Sequence, residues 1–182
     1  MKELYSINED TLFLEGITDN KGKVLTKIYE QDKILKLDDT PTNIIKYGCE
    51  YFGSTLEGRQ KGSMSLLGIK HKVPVIVEGS MELIFFPMCS PRIRACSWVC
   101  FNNILTYKRS GYDTEVLFKN GQFYRFNTIS YCPIDLNGVN VKMLNKEERL
   151  WLNRYHRNVY ERLSPYLNKE EKEFLKYETR EI

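Results

Sequence analysis

Residues 49–91 read CEYFGSTLEGRQKGSMSLLGIKHKVPVIVEGSMELIFFPMCSP. Tyr51-Phe52-Gly53 opens the stretch, and Gly58-Arg59-Gln60-Lys61 and Lys70-His71-Lys72 follow before two apolar runs. Those runs, 73–77 and 81–86, are expected as strands joined through Glu78-Gly79-Ser80 into a hairpin that Pro87 stops. Residues 54–72 are glycine-rich and basic, with Gly58, Gly62 and Gly68 permitting close backbone approach. The cations are flanked by Gly and Pro, which places them on turns and element ends rather than along one solvated helix face. The glycine spacing fits neither the Walker pattern nor G-x-G-x-x-G, so no nucleotide site is expected. His71 has no carboxylate or nucleophile spaced to work with it and reads as a surface or hydrogen-bonding residue. A positively charged, backbone-pinned surface of this kind suits a phosphate-rich partner.

Upstream, residues 11–14, 24–29 and 33–37 are short apolar or alternating runs separated by turn residues, and they read as strands, the last two forming a hairpin. A helix follows, with Thr40 as cap and Pro41 at its first position. Ile44, Ile45, Cys49 and Phe52 share one face of it, Gly53 ends it, and Tyr51 and Phe52 are expected in the core. Downstream, 89–94 is a loop offering Arg92 and Arg94, while 97–101 and 104–107 are strands. Lys108-Arg109-Ser110-Gly111 reads as a turn, and 114–118 pairs with 122–126 across Lys119-Asn120-Gly121, the strongest hairpin signal in the chain.

The chain has 182 residues, 42% of them hydrophobic and 13% aromatic, enough for a buried core. Its net charge of +3 hides an uneven distribution. Residues 1–40 carry 6 basic and 9 acidic side chains, whereas residues 41–110 carry 9 and 4. The basic excess therefore lies in the opening stretch and its surroundings. Lys2, Glu3, Glu9 and Asp10 interrupt any secretory signal, and no run approaches a membrane span. The 5 cysteines include no C-x-x-C pair. Cys96 and Cys100 are expected as thiols on a strand rather than half a metal site, since no second ligand pair follows. A cytoplasmic, nucleoid-associated protein with free thiols, no cofactor and no metal is expected.

The run CEYFGSTLEGRQKGSMSLLGIKHKVPVIV, then IFFP, SPR and Cys96-Ser97-Trp98-Val99, resembles the ComK family of bacterial competence transcription factors. The hairpin from Asp113 to Gly121, ending near Ile129-Ser130-Tyr131, fits the same pattern. The resemblance covers roughly residues 10–131, with its motifs in one order. It implies a sequence-specific activator that recognises paired A/T-rich boxes of double-stranded DNA largely through the minor groove, and acts as an oligomer. Its further partners would be the transcription machinery and a proteolytic adaptor. Narrow A/T minor grooves attract inserted Arg and Lys. Arg59, Arg92 and Arg94, on glycine- and proline-bounded loops, are the expected inserters, with Lys61, Lys70, Lys72, Lys108 and Arg109 on phosphates.

The tail, 132–182, departs from that family. Asn145 with Glu148 and Asn168 with Glu171 mark two helix starts, and Leu152, Tyr155, Val159 and Leu163 form an apolar stripe. Cys132-Pro133-Ile134-Asp135, Trp151-Leu152-Asn153 with Tyr155-His156, and Leu163-Ser164-Pro165 with Leu167 resemble the C-terminal segment of aminopeptidase P, a dinuclear metallopeptidase. In that family the metal ligands lie upstream, in a catalytic domain with no counterpart here, and His156 alone is no metal site. The tail is therefore expected as a helical appendage without peptidase activity. The competence family's usual C-terminal region, which delivers its members to the adaptor and protease, is not evident.

The sequence thus points to an α+β protein. A mainly antiparallel β domain with one inserted helix, 1–131, is followed by a two-helix segment, 132–182. It reads as a DNA-binding regulator with no catalytic residues. The alternatives are a non-catalytic protein-interaction module and a fragment related to a metallopeptidase that lacks the catalytic domain.

Overall fold

Two antiparallel meanders meet in the middle of one sheet. The computed structural model describes residues 5–111, 113–127 and 131–182. β1 (Thr11–Thr18), β2 (Val24–Glu30) and β3 (Ile34–Leu37) form the first meander. β4 (Val75–Glu78), β5 (Leu83–Pro87) and β6 (Trp98–Cys100) form the second. β1 and β6 pair through Phe13↔Val99 and Leu14↔Trp98, giving a six-stranded sheet in the order β3-β2-β1-β6-β5-β4.

Between the meanders lie two helices rather than the one expected. α1 (Pro41–Tyr51) starts as its sequence indicates, with the Thr40 hydroxyl accepting from the Asn43 N–H and Pro41 at the first position. α2 (Leu56–Leu67) occupies the stretch read as glycine-rich turns. Its internal glycines, Gly58 and Gly62, each cost about 1 kcal/mol of helix propensity. Both ends compensate: the Thr55 hydroxyl accepts from the Gly58 N–H at 3.0 Å, and Gly68, left-handed at φ 67, donates to the Met64 carbonyl. Arg59 and Lys61 therefore ride on a helix, not on an open loop.

Neighbouring residues of each strand point to opposite faces, and they divide into two cores. Leu14, Ile28, Phe85, Trp98 and Cys100 pack with Ile44, Ile45, Cys49 and Leu56 of the helices. Phe13, Tyr29 and Val99 pack on the other side with Val116 and Phe118. The second core is built on a three-stranded sheet of β7 (Ile104–Ser110), β8 (Asp113–Phe118) and β9 (Phe123–Phe126). The domain is thus layered: helices, six strands, three strands. Fully buried Trp98 and Phe85 dominate the first core, each contributing roughly 2–3 kcal/mol by apolar burial. Trp98 satisfies its ring N–H on the Thr42 hydroxyl at 3.1 Å. A bulge between Thr11 and Phe13 lets the consecutive residues Leu12 and Phe13 both enter the second core.

Two local expectations differ. Tyr51 is 75% exposed, because α1 turns it off the face that holds Ile45 and Cys49; Phe52 packs partly against the core. Lys108 and Arg109 belong to β7 rather than to a turn. The chain reverses one step later, at Gly111 with φ 65, which lets Ser110 pair with Asp113. The Asn120-Gly121 hairpin forms as the sequence indicates, with the Gly121 N–H on the Phe118 carbonyl at 2.9 Å. Ile129 and Ser130 lie outside the described residues.

The chain divides into two units, Met1–Phe126 and Asn127–Ile182. The second holds α3 (Lys146–Leu163) and α4 (Lys169–Glu178), each opened by a complete capping box, Asn145 with Glu148 and Asn168 with Glu171. Leu152 and Val159 of the apolar stripe are buried, and Tyr155 and Leu163 half-buried. His156 is fully buried. Its Nε2 accepts from the Ile134 N–H at 3.1 Å and its Nδ1 lies 3.5 Å from the Arg180 carbonyl. No helix of the described residues is long and apolar enough to cross a membrane.

Candidate nucleic-acid interface

Strand register decides which cations meet. Pro87 pairs with Trp98, and Val75 pairs with Phe85. The segment entering β4, which carries Lys70 and Lys72, therefore leaves the sheet at the same end as the β5–β6 loop, which carries Arg92 and Arg94. β1 runs antiparallel to β6, so its far end, with the 19–23 turn, reaches that end too. Lys21 and Lys23 of this turn join the group. Sequence reasoning missed them, since only the long-range pairing of Leu14 with Trp98 brings them there. Lys21, Lys70, Lys72, Arg92 and Arg94 are exposed; Lys23 is ion-paired with Asp38. Lys72 sits at φ 49, a left-handed conformation that turns the chain sharply into β4. The Asp19 carboxylate is occupied within its own turn, accepting from the Lys21 and Lys23 N–H groups.

The opposite end of the sheet carries the other sign. Glu9 and Asp10 precede β1, and Glu82 sits in the β4–β5 turn. With Gln31, Asn102 and Lys119 they line a cleft of about 430 Å³. One sheet thus presents a basic end and an acidic end.

The remaining expected contacts are placed differently. Lys61 is exposed on α2. Arg59 is half-buried, its Nη2 lies 3.5 Å from the Val77 carbonyl, and its Nε is enclosed without a hydrogen-bond partner. It braces α2 against the edge strand β4. Its charge acts on Cys49, whose thiol burial nevertheless pushes up to about 11. Lys108 pairs with Glu115 at 3.1 Å and lies over the Phe123 ring. That lysine, followed by Ser110, holds the Glu115 carboxyl below the usual range. The Arg109 Nε donates to the Gly111 carbonyl at 2.6 Å. Beside them Arg125 grips Asp113 through Nε and Nη2, at 3.0 and 2.8 Å. The outer face of the three-stranded sheet is therefore largely charge-compensated, whereas at the basic end of the six-stranded sheet Lys23 pairs with Asp38 and, among the described residues, Lys21, Lys70, Lys72, Arg92 and Arg94 make no ion pair. Among the described residues, no cluster of three or more His, Cys, Asp or Glu side chains is placed to hold a metal ion.

The family is shown by comparison: the ComK protein family model matches residues 2–132, and the chain belongs to that family. It is similar to the competence transcription factor of Bacillus subtilis (strain 168), 32% identical over 123 residues, covering 66% of this chain and 62% of that protein. Residues 122–182 match the C-terminal region of peptidase M24. Here the chain is similar to a probable Xaa-Pro aminopeptidase P of Laccaria bicolor, 36% identical over 50 residues, 28% of this chain and 8% of that protein. It is also similar to aminopeptidase P1 of Arabidopsis thaliana, 31% over 70 residues, 38% of this chain and 11% of that protein. The chain thus spans less than two thirds of the competence factor and about a tenth of the aminopeptidases. No solved structure matches it.

Proposed function

We propose that the protein is a competence-type transcription regulator that binds A/T-rich duplex DNA through the minor groove. The contact surface is the basic end of the six-stranded sheet. Family membership supports the regulator class. The single observation that carries the interface is the convergence of Lys70, Lys72, Arg92 and Arg94 at one sheet end, with Lys21 and Lys23 beside them. In this reading Arg92 and Arg94 enter the groove, where A/T tracts concentrate negative potential, and the lysines hold phosphates. Lys61 on α2 extends the phosphate track, and Lys23, Lys108 and Arg109 are secondary because local partners already engage them. Arg59 supports the site from behind by fixing α2 to β4.

The protein acts without a cofactor, as a homo-oligomer on paired boxes, in the cytoplasm at the nucleoid. It is a regulator and not an enzyme: the likeness to peptidases is confined to their C-terminal region. The two-helix unit is a structural helical appendage without peptidase activity, and the transcription machinery is a further partner class that the family implies for the regulator.

Fluorescence anisotropy of the full chain with a duplex bearing two A/T boxes, against a G/C-rich duplex of equal length, tests this. Preference for the A/T duplex is expected, with log affinity falling linearly in log salt. Equal, weak binding to both duplexes would reduce the interface to generic polyanion attraction, and absence of binding rejects it.

A further inference from the structure

The loop that carries Arg92 and Arg94 begins and ends with a thiol, and DNA contact uses neither. Beyond the Pro87↔Trp98 pair, the Met88 N–H donates to the Ser97 carbonyl at 2.9 Å. The same antiparallel register, carried one residue further, sets Cys89 opposite Cys96. The contacts agree. The Cys96 thiol donates to the Cys89 carbonyl at 3.4 Å, which sets the two residues side by side. Directly opposed residues hold their Cβ atoms about 4.5–5.5 Å apart, and a disulfide needs about 3.5–4.5 Å. Closure therefore takes only a small inward shift. The loop between them is already tied, with the Ile93 N–H on Ser90 and the Cys96 N–H on Ile93, both at 2.9 Å. Cys96 is buried and Cys89 half-buried.

We propose that Cys89 and Cys96 form a reversible oxidation site, which hydrogen peroxide converts into an intrachain disulfide that restrains the segment bearing Arg92 and Arg94. The more accessible sulfur reacts first. The Cys89 thiolate attacks one peroxide oxygen, the O–O bond breaks, and Cys89 becomes a sulfenic acid as the departing hydroxide takes up a proton to leave as water. The Cys96 sulfur then attacks the Cys89 sulfur. The S–S bond forms, the S–O bond breaks, and the hydroxyl departs with the Cys96 proton as a second water. Two thiols lose two electrons and two hydrogens, and one peroxide is reduced to two waters. Burial pushes the Cys96 thiol up to about 12, so it is held protonated until it meets the oxidised Cys89. Cys49 and Cys100 are buried, and Cys132 is exposed in the second unit.

The full-length protein is treated with hydrogen peroxide, blocked with iodoacetamide, digested with trypsin and mapped by mass spectrometry. The expected product links peptide 73–92 to peptide 95–108 with the loss of two hydrogens. Fragmentation places the bond on Cys96 rather than Cys100, and dithiothreitol abolishes it. Native trypsin cleavage after Arg92 and Arg94 slows several-fold in the oxidised protein and recovers on reduction. Cys89→Ser, at the half-buried position, removes both effects. Sulfinic acid accumulating on Cys89 while Cys96 remains open to alkylation on unfolding overturns the proposal. So does oxidation that joins chains through Cys132 and leaves the pair reduced. Wild-type mapping decides the matter even if the Cys89→Ser chain folds poorly. Neither readout involves DNA, so this site stands or falls apart from the regulator reading.

Discussion

Gly16 marks the closest approach between β1 and the arm that leads into β6. A Cβ there would stand 2.3 Å from the Ala95 carbonyl oxygen, and the Gly16 N–H donates to the Ser97 hydroxyl at 3.1 Å. The obstacle is backbone, which does not yield cheaply. Gly16→Ala should therefore cost about 2–3 kcal/mol, read as a lower urea midpoint at unchanged slope. Glu30 is a different case, a carboxylate only 5% exposed. Burial alone would raise its pKa. Hydrogen bonds from Tyr5 at 2.6 Å and Asn8 at 3.3 Å, with Lys33 at 3.0 Å, outweigh that and hold it below its ordinary 4.5. A depressed folded value gives stability that is present above the ordinary value and is lost as pH falls through the folded one. Glu30→Gln is expected to be less stable by about 1–3 kcal/mol at about pH 7. The gap should shrink at about pH 3, and an equal gap at both would contradict an ionised role. Neither feature was legible in the sequence. Gly16 looks like any strand glycine until Ala95 is placed against it, and Glu30 looks like a turn acid until Tyr5 folds back over it.

The elements that sequence reading captured are those whose signals are local. Capping boxes span four residues and an Asn-Gly turn two, so the starts of α3 and α4 and the β8–β9 hairpin could be read directly. α2 could not. It buries little besides Leu56 and Ser63, so no apolar period appears, and its glycines imitate a loop. The loop expected at 89–94 forms within the longer β5–β6 connection, but its neighbours could not be read, because they come from β1 and from the segment before β4. If this loop reads the groove, Arg92→Ala and Arg94→Ala should each weaken A/T-duplex binding by about 1–3 kcal/mol. The melting temperature should not change, since both side chains are exposed. In the second unit His156 links α3 to the segment before it and to the residues after α4. With Nε2 accepting, the ring is the Nδ1–H tautomer. His156→Leu would leave the Ile134 N–H unpaired at a cost of about 1–3 kcal/mol. His156→Gln, whose amide both accepts and donates, should recover part of it in a thermal melt.

At the scale of the whole molecule, opposite charges are separated along the strands. β1 is 8 residues long, so the basic and acidic ends stand roughly 25 Å apart. That exceeds the screening length of about 8 Å at physiological salt and falls within the length of about 30 Å at 0.01 M. Glu9→Gln combined with Asp10→Asn should therefore leave DNA affinity unchanged at about 0.15 M salt and tighten it at about 0.01 M. Tightening at both would place the acidic end against the DNA. The segment charge counts anticipated the basic excess but not the separation. Glu9 and Asp10 are neighbours in the chain, but only the pairing of β1 with β6 and of β6 with β5 brings Glu82 to the same end.

The bulge in β1 also makes one residue of that strand spare. Thr11 bonds Tyr5 on the helix side, Leu12 and Phe13 both face the second core, and Leu14 returns to the first. Removing Leu12 would leave Thr11, Phe13 and Leu14 in strict alternation, each on the side it already occupies. The loss would be confined to one buried leucine. Deleting a residue of the strand other than Leu12 or Phe13 would exchange the two faces for everything between the cut and the nearest turn. Length variation in this strand is therefore tolerable at a single place, and there it works as slack in the chain rather than as a shift of phase.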